Sequence, residues 1–135
     1  MTYKVNNDNT ITGITSPISA SNFASKFNIS NGTVKITTSN GTVKTGNVGT
    51  GYQVRVYDTA GALKLTYNIV VYGDTNGDGT INALDLLRVQ KDILAISKLG
   101  GFYNSAADTS KDGKVNALDL LQVQKHILGI KNIAQ

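Results

Sequence analysis

The strongest constraint on this chain is a twelve-residue pattern written twice. Asp74-Thr75-Asn76-Gly77-Asp78-Gly79-Thr80-Ile81-Asn82-Ala83-Leu84-Asp85 runs directly into the apolar stretch Leu86-Leu87-Arg88-Val89. Counted from Asp74, oxygen-bearing side chains fall at positions 1, 3, 5, 9 and 12, and glycine at position 6. That is the ligand spacing of a calcium loop, which must fold back on itself to offer a hard cation about six to eight oxygens. Asp74, Asn76 and Asp78 are expected to point inward, Thr80 to offer its carbonyl, Asn82 to act through a water, and Asp85 to close the shell from the first turn of a helix. Gly79 permits the sharp turn that a Cβ would resist. The pattern returns 34 residues later as Asp108, Ser110, Asp112, Lys114 (by its carbonyl), Asn116 and Asp119, so that Asp74–Ile96 and Asp108–Ile130 agree at 16 of 23 positions. Two copies in register imply two calcium ions.

The acidic residues are committed to these loops. The chain has no glutamate, and six of its nine aspartates are loop ligands. Residues 1–73 carry six Lys/Arg against two Asp, and residues 74–135 seven against seven, so the basic balance arises mainly in the first half. Scattered surface lysines account for it, because no arginine cluster or aromatic-basic interleaving marks a nucleic-acid surface. The absence of cysteine removes disulfides and thiolate metal sites. No apolar run approaches the roughly 20 residues that span a bilayer, and no signal peptide opens the chain. Met1 is expected to begin a piece excised from a longer protein.

Residues 1–72 are expected to form a small β-rich α+β unit. Tyr3–Val5 and Thr10–Ile14 suggest two short strands. A helix opening at Ser16-Pro17 would bury Ile18, Phe23 and Phe27. Strands are then expected over Thr33–Thr38, Thr42–Thr45, Tyr52–Asp58 and Leu63–Tyr72, separated by Gly-containing turns. Residues 73–135 are expected to be all-α: a helix over Ala83–Ile96, a connector over Lys98–Ala107 with a short helical turn, and a second helix over Ala117–Ile130. The segment before Asp74 is β-branched and strand-like, so each loop has only its exiting helix, unlike a standard EF-hand. Gly73 alone separates Tyr72 from Asp74. The two parts are therefore expected to pack as one rigid unit, the first stabilising the second and extending its partner interface.

Two loop-plus-helix repeats reading Asp-x-Asn/Ser-x-Asp-Gly-x-x-Asn-Ala-Leu-Asp-Leu-Leu resemble a type I dockerin of the cellulosome kind over residues 73 to about 131. The resemblance implies a duplicated F-hand fold and a calcium-dependent plug that binds a cohesin domain. It also implies a secreted parent protein, fixed to a scaffold or cell surface and active in polysaccharide degradation. Residues 3–72 are similar to the X-type modules that precede such domains, with a β-grasp-like or an immunoglobulin-like fold. Position 12 is Asp in both loops rather than the longer Glu of calcium sensors. The only methionine is Met1, so no Met-rich switch surface exists and the metal is structural.

Helical spacing separates two faces. Leu86, Val89, Ile93 and Ile96 form one stripe, repeated as Leu120, Val123, Ile127 and Ile130, and are expected inside. The other stripe is the expected partner face: Ala83, Leu84, Leu87, Arg88, Lys91 and Ala95, repeated as Ala117, Leu118, Leu121, Gln122, Lys125 and Gly129. Positions 10 and 11, where the family reads its partner, are Ala-Leu in both copies. A cohesin could then dock in two orientations about half a turn apart, as a self-complementary surface permits. Positions 15 (Arg88, Gln122) and 19 (Asp92, His126) break the symmetry, and His126 is expected at the surface.

An enzyme is excluded by the lack of a triad, a phosphate-cradling glycine motif or an uncommitted acid/base pair. The remaining alternative is a calcium-stabilised extracellular adhesin, contacting carbohydrate through Tyr52, Tyr57, Tyr67 and Tyr72. The free molecule is expected to be a monomer, without nucleic-acid or membrane partners.

Overall fold

The computed structural model describes residues 3–15, 17–27 and 31–135. A tight hairpin opens the N-terminal half. Strands β1 (Lys4–Val5) and β2 (Thr10–Thr12) pair antiparallel, Lys4 opposite Thr12. The Asp8 carboxylate holds the turn, accepting from Thr10 N–H at 3.2 Å and from its hydroxyl at 2.6 Å. Helix α1 (Ala20–Ala24) is capped by Ser19, whose hydroxyl accepts from Asn22 N–H at 3.3 Å. Strands β3 (Thr33–Thr37), β4 (Gln53–Tyr57) and β5 (Leu63–Ile69) complete one five-stranded sheet of order β1-β2-β5-β4-β3. Among the described residues, only β2 and β5 pair in parallel.

The strand periodicity of two sorts the faces. Val34, Ile36, Val54, Tyr67 and Ile69 turn toward α1 and pack with Ile11, Ile14, Phe23 and Val48. Phe23 is fully buried and meets Tyr3 and Phe27 edge-on, with ring centroids 4.9 and 5.1 Å away. Polar residues such as Lys35, Gln53, Arg55 and Thr66 take the other face, where Gln53 and Arg55 bond to each other.

Several expectations for this half change. Ser16 lies outside the described residues, and the helix begins at Ala20 rather than at Ser16-Pro17. Ile18 and Phe27 flank it and still pack on the same core. Thr42–Thr45 is not a strand, because only Val43 bridges to Thr37. β5 stops at Ile69, since Val71 N–H donates to the Thr50 hydroxyl and the Val71 carbonyl accepts from it, in place of a neighbouring strand. The second sheet of an immunoglobulin-like sandwich is absent among the described residues, and one mixed sheet with one helix remains.

The C-terminal half is helical: α2 (Ala83–Ile93), α3 (Gly101–Ala107) and α4 (Ala117–Ile127). Val89 of α2 and Val123 of α4 are fully buried and form a second core with Ala107 and Ile133, against which Tyr72, Leu86 and Leu120 pack. Both long helices end three residues short of the sequence expectation, for one reason. Ala95 and Gly129 adopt φ of 58° and 73°. Ile96 N–H then returns to the Lys91 carbonyl and Ile130 N–H to that of Lys125, each at 2.9 Å. This Schellman closure throws Ile96 and Ile130 off the buried stripe, leaving them 69% and 67% exposed, and Ile127 is also exposed.

Position 19 of each repeat ties down the chain that follows. The Asp92 carboxylate accepts from Leu99 N–H at 2.9 Å, and His126 Nδ1 accepts from Ile133 N–H at 3.0 Å. His126 is therefore a half-buried structural acceptor rather than a free surface residue. The Gln135 side chain closes this half, bonding both the N–H and the carbonyl of Tyr72 at 2.8 Å.

Candidate metal centre and docking face

Positions 9 and 12 of each loop double as a helix cap. Asn82 and Asn116 are the N-caps of α2 and α4, each accepting from the N–H two residues on at 3.0 Å. Asp85 and Asp119 reach back to the N–H of Asn82 and Asn116 at 2.8 Å. This reciprocal cap satisfies helix-end donors and fixes each position-12 carboxylate facing its own loop. The other oxygen of Asp85 accepts from Thr75 N–H at 2.9 Å and Asn76 N–H at 3.2 Å. That of Asp119 accepts from Ser110 N–H at 2.9 Å.

The remaining carboxylates are held in the same way. Asp74 accepts from Gly77 N–H at 3.0 Å and Gly79 N–H at 3.1 Å, and Asp108 from Asp112 N–H at 3.2 Å and Gly113 N–H at 2.8 Å. Asp78 and Asp112 accept from Thr80 N–H at 2.9 Å and Lys114 N–H at 3.0 Å. The loops thereby bring together Asp74, Asp78 and Asp85, and separately Asp108, Asp112 and Asp119, with one oxygen of each within 4.8 Å of the others. Asn76, Asn82, Ser110 and Asn116 are half-buried, while Thr80 and Lys114 are exposed.

Asp74, Asp85 and Asp119 are fully buried. Among the described residues, none of the six loop carboxylates has a lysine or arginine partner in an ion pair. Burial, opposed by backbone donors, pushes the Asp74 carboxyl up to about 7. Burial also raises that of Asp85. At the exposed Asp112 the Lys114 N–H lowers it. Buried carboxylates without a counter-charge are costly unless a cation neutralises them. An all-oxygen donor set suits a hard cation such as calcium.

The expected partner face lies outside these clusters. Leu84 and Leu118 are 59% and 49% exposed, and Leu87 and Leu121 both 44%. Ala83, Arg88, Lys91, Ala95, Ala117 and Gly129 are exposed too, whereas Gln122 and Lys125 are half-buried. Gln122 is engaged by the Thr109 hydroxyl at 2.7 Å. Leu84, Leu87, Arg88 and Lys91 line a shallow hollow beside α2, and Leu118, Leu121, Gln122 and Lys125 line its counterpart beside α4.

The four tyrosines do not converge. Tyr52 and Tyr67 pack on the sheet core, Tyr57 faces Lys35, and Tyr72 packs in the helical core. A tyrosine carbohydrate platform is thus not formed.

Two features were missed from the sequence. Thr75 and Thr109, at position 2 of each loop, are buried, with hydroxyls directed at Asp85 and Asp119. The shared Asp-Thr dipeptide was the available signal. The second is Thr50, whose N–H donates to Asp74 Oδ2 at 3.0 Å from a different part of the fold.

The family model for the dockerin type I domain matches residues 72–128. No curated protein and no solved structure matches the chain. Among the described residues, no helix is long and apolar enough to cross a membrane.

Proposed function

Residues 72–128 are a type I dockerin domain, and from that premise we propose that the chain docks its parent protein to a cohesin through two calcium-built loops. A dockerin is a calcium-dependent, non-catalytic module that binds cohesin partners. In our reading Asp74, Asn76, Asp78, Thr80, Asn82 and Asp85 hold one ion. Asp108, Ser110, Asp112, Lys114, Asn116 and Asp119 hold the other. The division falls near residue 72, with an X-type module before it. The parent protein works outside the cell, anchored to a scaffold or surface, and the free chain is a monomer.

The observation that carries this reading is the pairing of each carboxylate cluster with an exposed leucine at position 11 of its loop. The ion orders the loop, the loop caps its helix, and the helix presents Leu84 or Leu118 to the partner. The matched hollows beside α2 and α4 support two docking orientations.

Calorimetric titration of the full chain with calcium should give two ions per chain. Excess chelator should remove much of the far-ultraviolet helix signal, because metal binding and folding are coupled in such small sites. A stoichiometry of one, or helix content indifferent to chelator, would contradict the assignment.

A further inference from the structure

The two loops are alike in sequence and unlike in surroundings. Loop 1 lies beneath a segment of the N-terminal half. Thr50 is fully buried, its N–H donates to Asp74 Oδ2 at 3.0 Å, and its hydroxyl is fixed to Val71 at 3.0 and 3.1 Å. The approach leaves no room for side chains. A Cβ on Gly49 would stand 2.5 Å from both Asp74 Oδ2 and the Gly77 carbonyl oxygen. One on Gly77 would stand 2.5 Å from the Thr50 carbonyl oxygen, and one on Gly79 2.4 Å from that of Val48.

Among the described residues, loop 2 has no such roof. A Cβ on Gly113 would meet nothing within 4 Å, and Asp108 is only half-buried where Asp74 is fully buried. Position 4 records the difference in the sequence. Gly77 and Lys111 share a positive φ, 78° and 62°, but glycine stands where the roof presses and lysine where the loop is open. The Lys111 side chain turns away over the Tyr72 ring at 4.5 Å.

We propose that residues 48–50 are a built-in wall of the first calcium site, so that the two near-identical loops bind calcium unequally, the first more tightly. The inference rests on the calcium reading above. Outer donors that orient a ligand raise metal affinity. Asp74 has one such donor from outside its loop, Thr50, and among the described residues Asp108 has none. A carboxylate already held in place loses less freedom when it binds. Linkage is reciprocal, so calcium in the first loop also steadies residues 48–50 and the start of β4 that follows them.

The test is a calcium titration of the full chain and of its Gly49→Ala variant. The amides of Gly79 and Gly113, followed by NMR, report the two sites separately. Gly49 has no positive φ, so alanine strains only the contact with the loop. The expected result is a tighter Gly79 site in the unaltered chain. In the variant that site should weaken by about 10- to 100-fold, while the Gly113 site stays within about twofold. Equal loss at both sites, or none at either, would overturn the proposal.

Should the variant not fold, the chain carrying Asp108→Ala in the second loop decides. Calcium in the first loop should slow hydrogen exchange of the Thr50 amide at least about tenfold, and unchanged exchange would overturn the wall. A chain that bound no calcium at all would remove the calcium reading itself, and the proposal with it.

Discussion

Replacing Leu84 and Leu118 together by aspartate should weaken cohesin binding by at least about a hundredfold, while either change alone should cost less than about threefold. The large effect follows from exposure and chemistry. Both side chains are well exposed, at 59% and 49%, so neither substitution removes a core residue, and surface changes of this kind rarely disturb stability by more than about 0.5 kcal/mol. In the complex each leucine would be an apolar anchor, and losing a central anchor typically costs about 2 kcal/mol or more. Burying an unpaired carboxylate against an apolar partner adds to that. The small effect of the single changes follows from the duplication. If either helix can lead, one damaged repeat leaves the other orientation intact, and removing one of two equal modes costs only about a factor of two. Calorimetry with the three variants distinguishes the cases. A single change that abolished binding would show that one repeat alone reads the partner.

Asp85→Ala should strike metal and helix at once. Its carboxylate accepts from Asn82, Thr75 and Asn76 N–H groups at 2.8, 2.9 and 3.2 Å, and in our reading it also closes the calcium shell. The Asn82 cap bond does not involve Asp85, so losing Asp85's half of the reciprocal cap should cost about 0.3–1.5 kcal/mol. Losing a charged ligand should lower calcium affinity at the first site by at least about a hundredfold, since affinity in such loops follows ligand charge. Asp85→Asn separates the two roles, because the amide oxygen can still accept one cap bond but carries no charge. Thermal melts in chelator should therefore rank Asp85→Asn above Asp85→Ala, whereas calcium titrations should find both impaired. If Asp85→Asn bound calcium like the unaltered chain, the carboxylate would be a cap and not a ligand. Asp119 has the equivalents of two of these three contacts, from Asn116 and Ser110 N–H, and its variants should behave likewise at the second site.

The loops were legible in the sequence because their chemistry is local: twelve consecutive residues must place oxygens at fixed steps, and the same residues cap the helix. The helix ends were less so. Gly129 announces a left-handed closure, but its counterpart Ala95 does not, and reading Ala95 through its repeat would have ended α2 at Ile93. Asp92 and His126 looked like a break in the symmetry, yet each accepts the N–H of the residue seven positions on. Chemically different side chains can fill one acceptor position, and a comparison of letters hides this.

In the N-terminal half, β2 pairs in parallel with β5 across most of the sheet's sequence, and no local pattern specifies such a pairing. The contact of Thr50 with Asp74 spans 24 residues. Its only trace in the sequence was Gly77 standing where Lys111 stands in the second copy.

Whether metal assembles this docking module can be read by calorimetry of the full chain against a panel of cohesins, first in calcium and then in excess chelator. The expected result is tight one-to-one binding to at least one cohesin that disappears with chelator and returns when calcium is restored. Binding that survived chelation, or two bound calcium ions with no cohesin recognised, would contradict it.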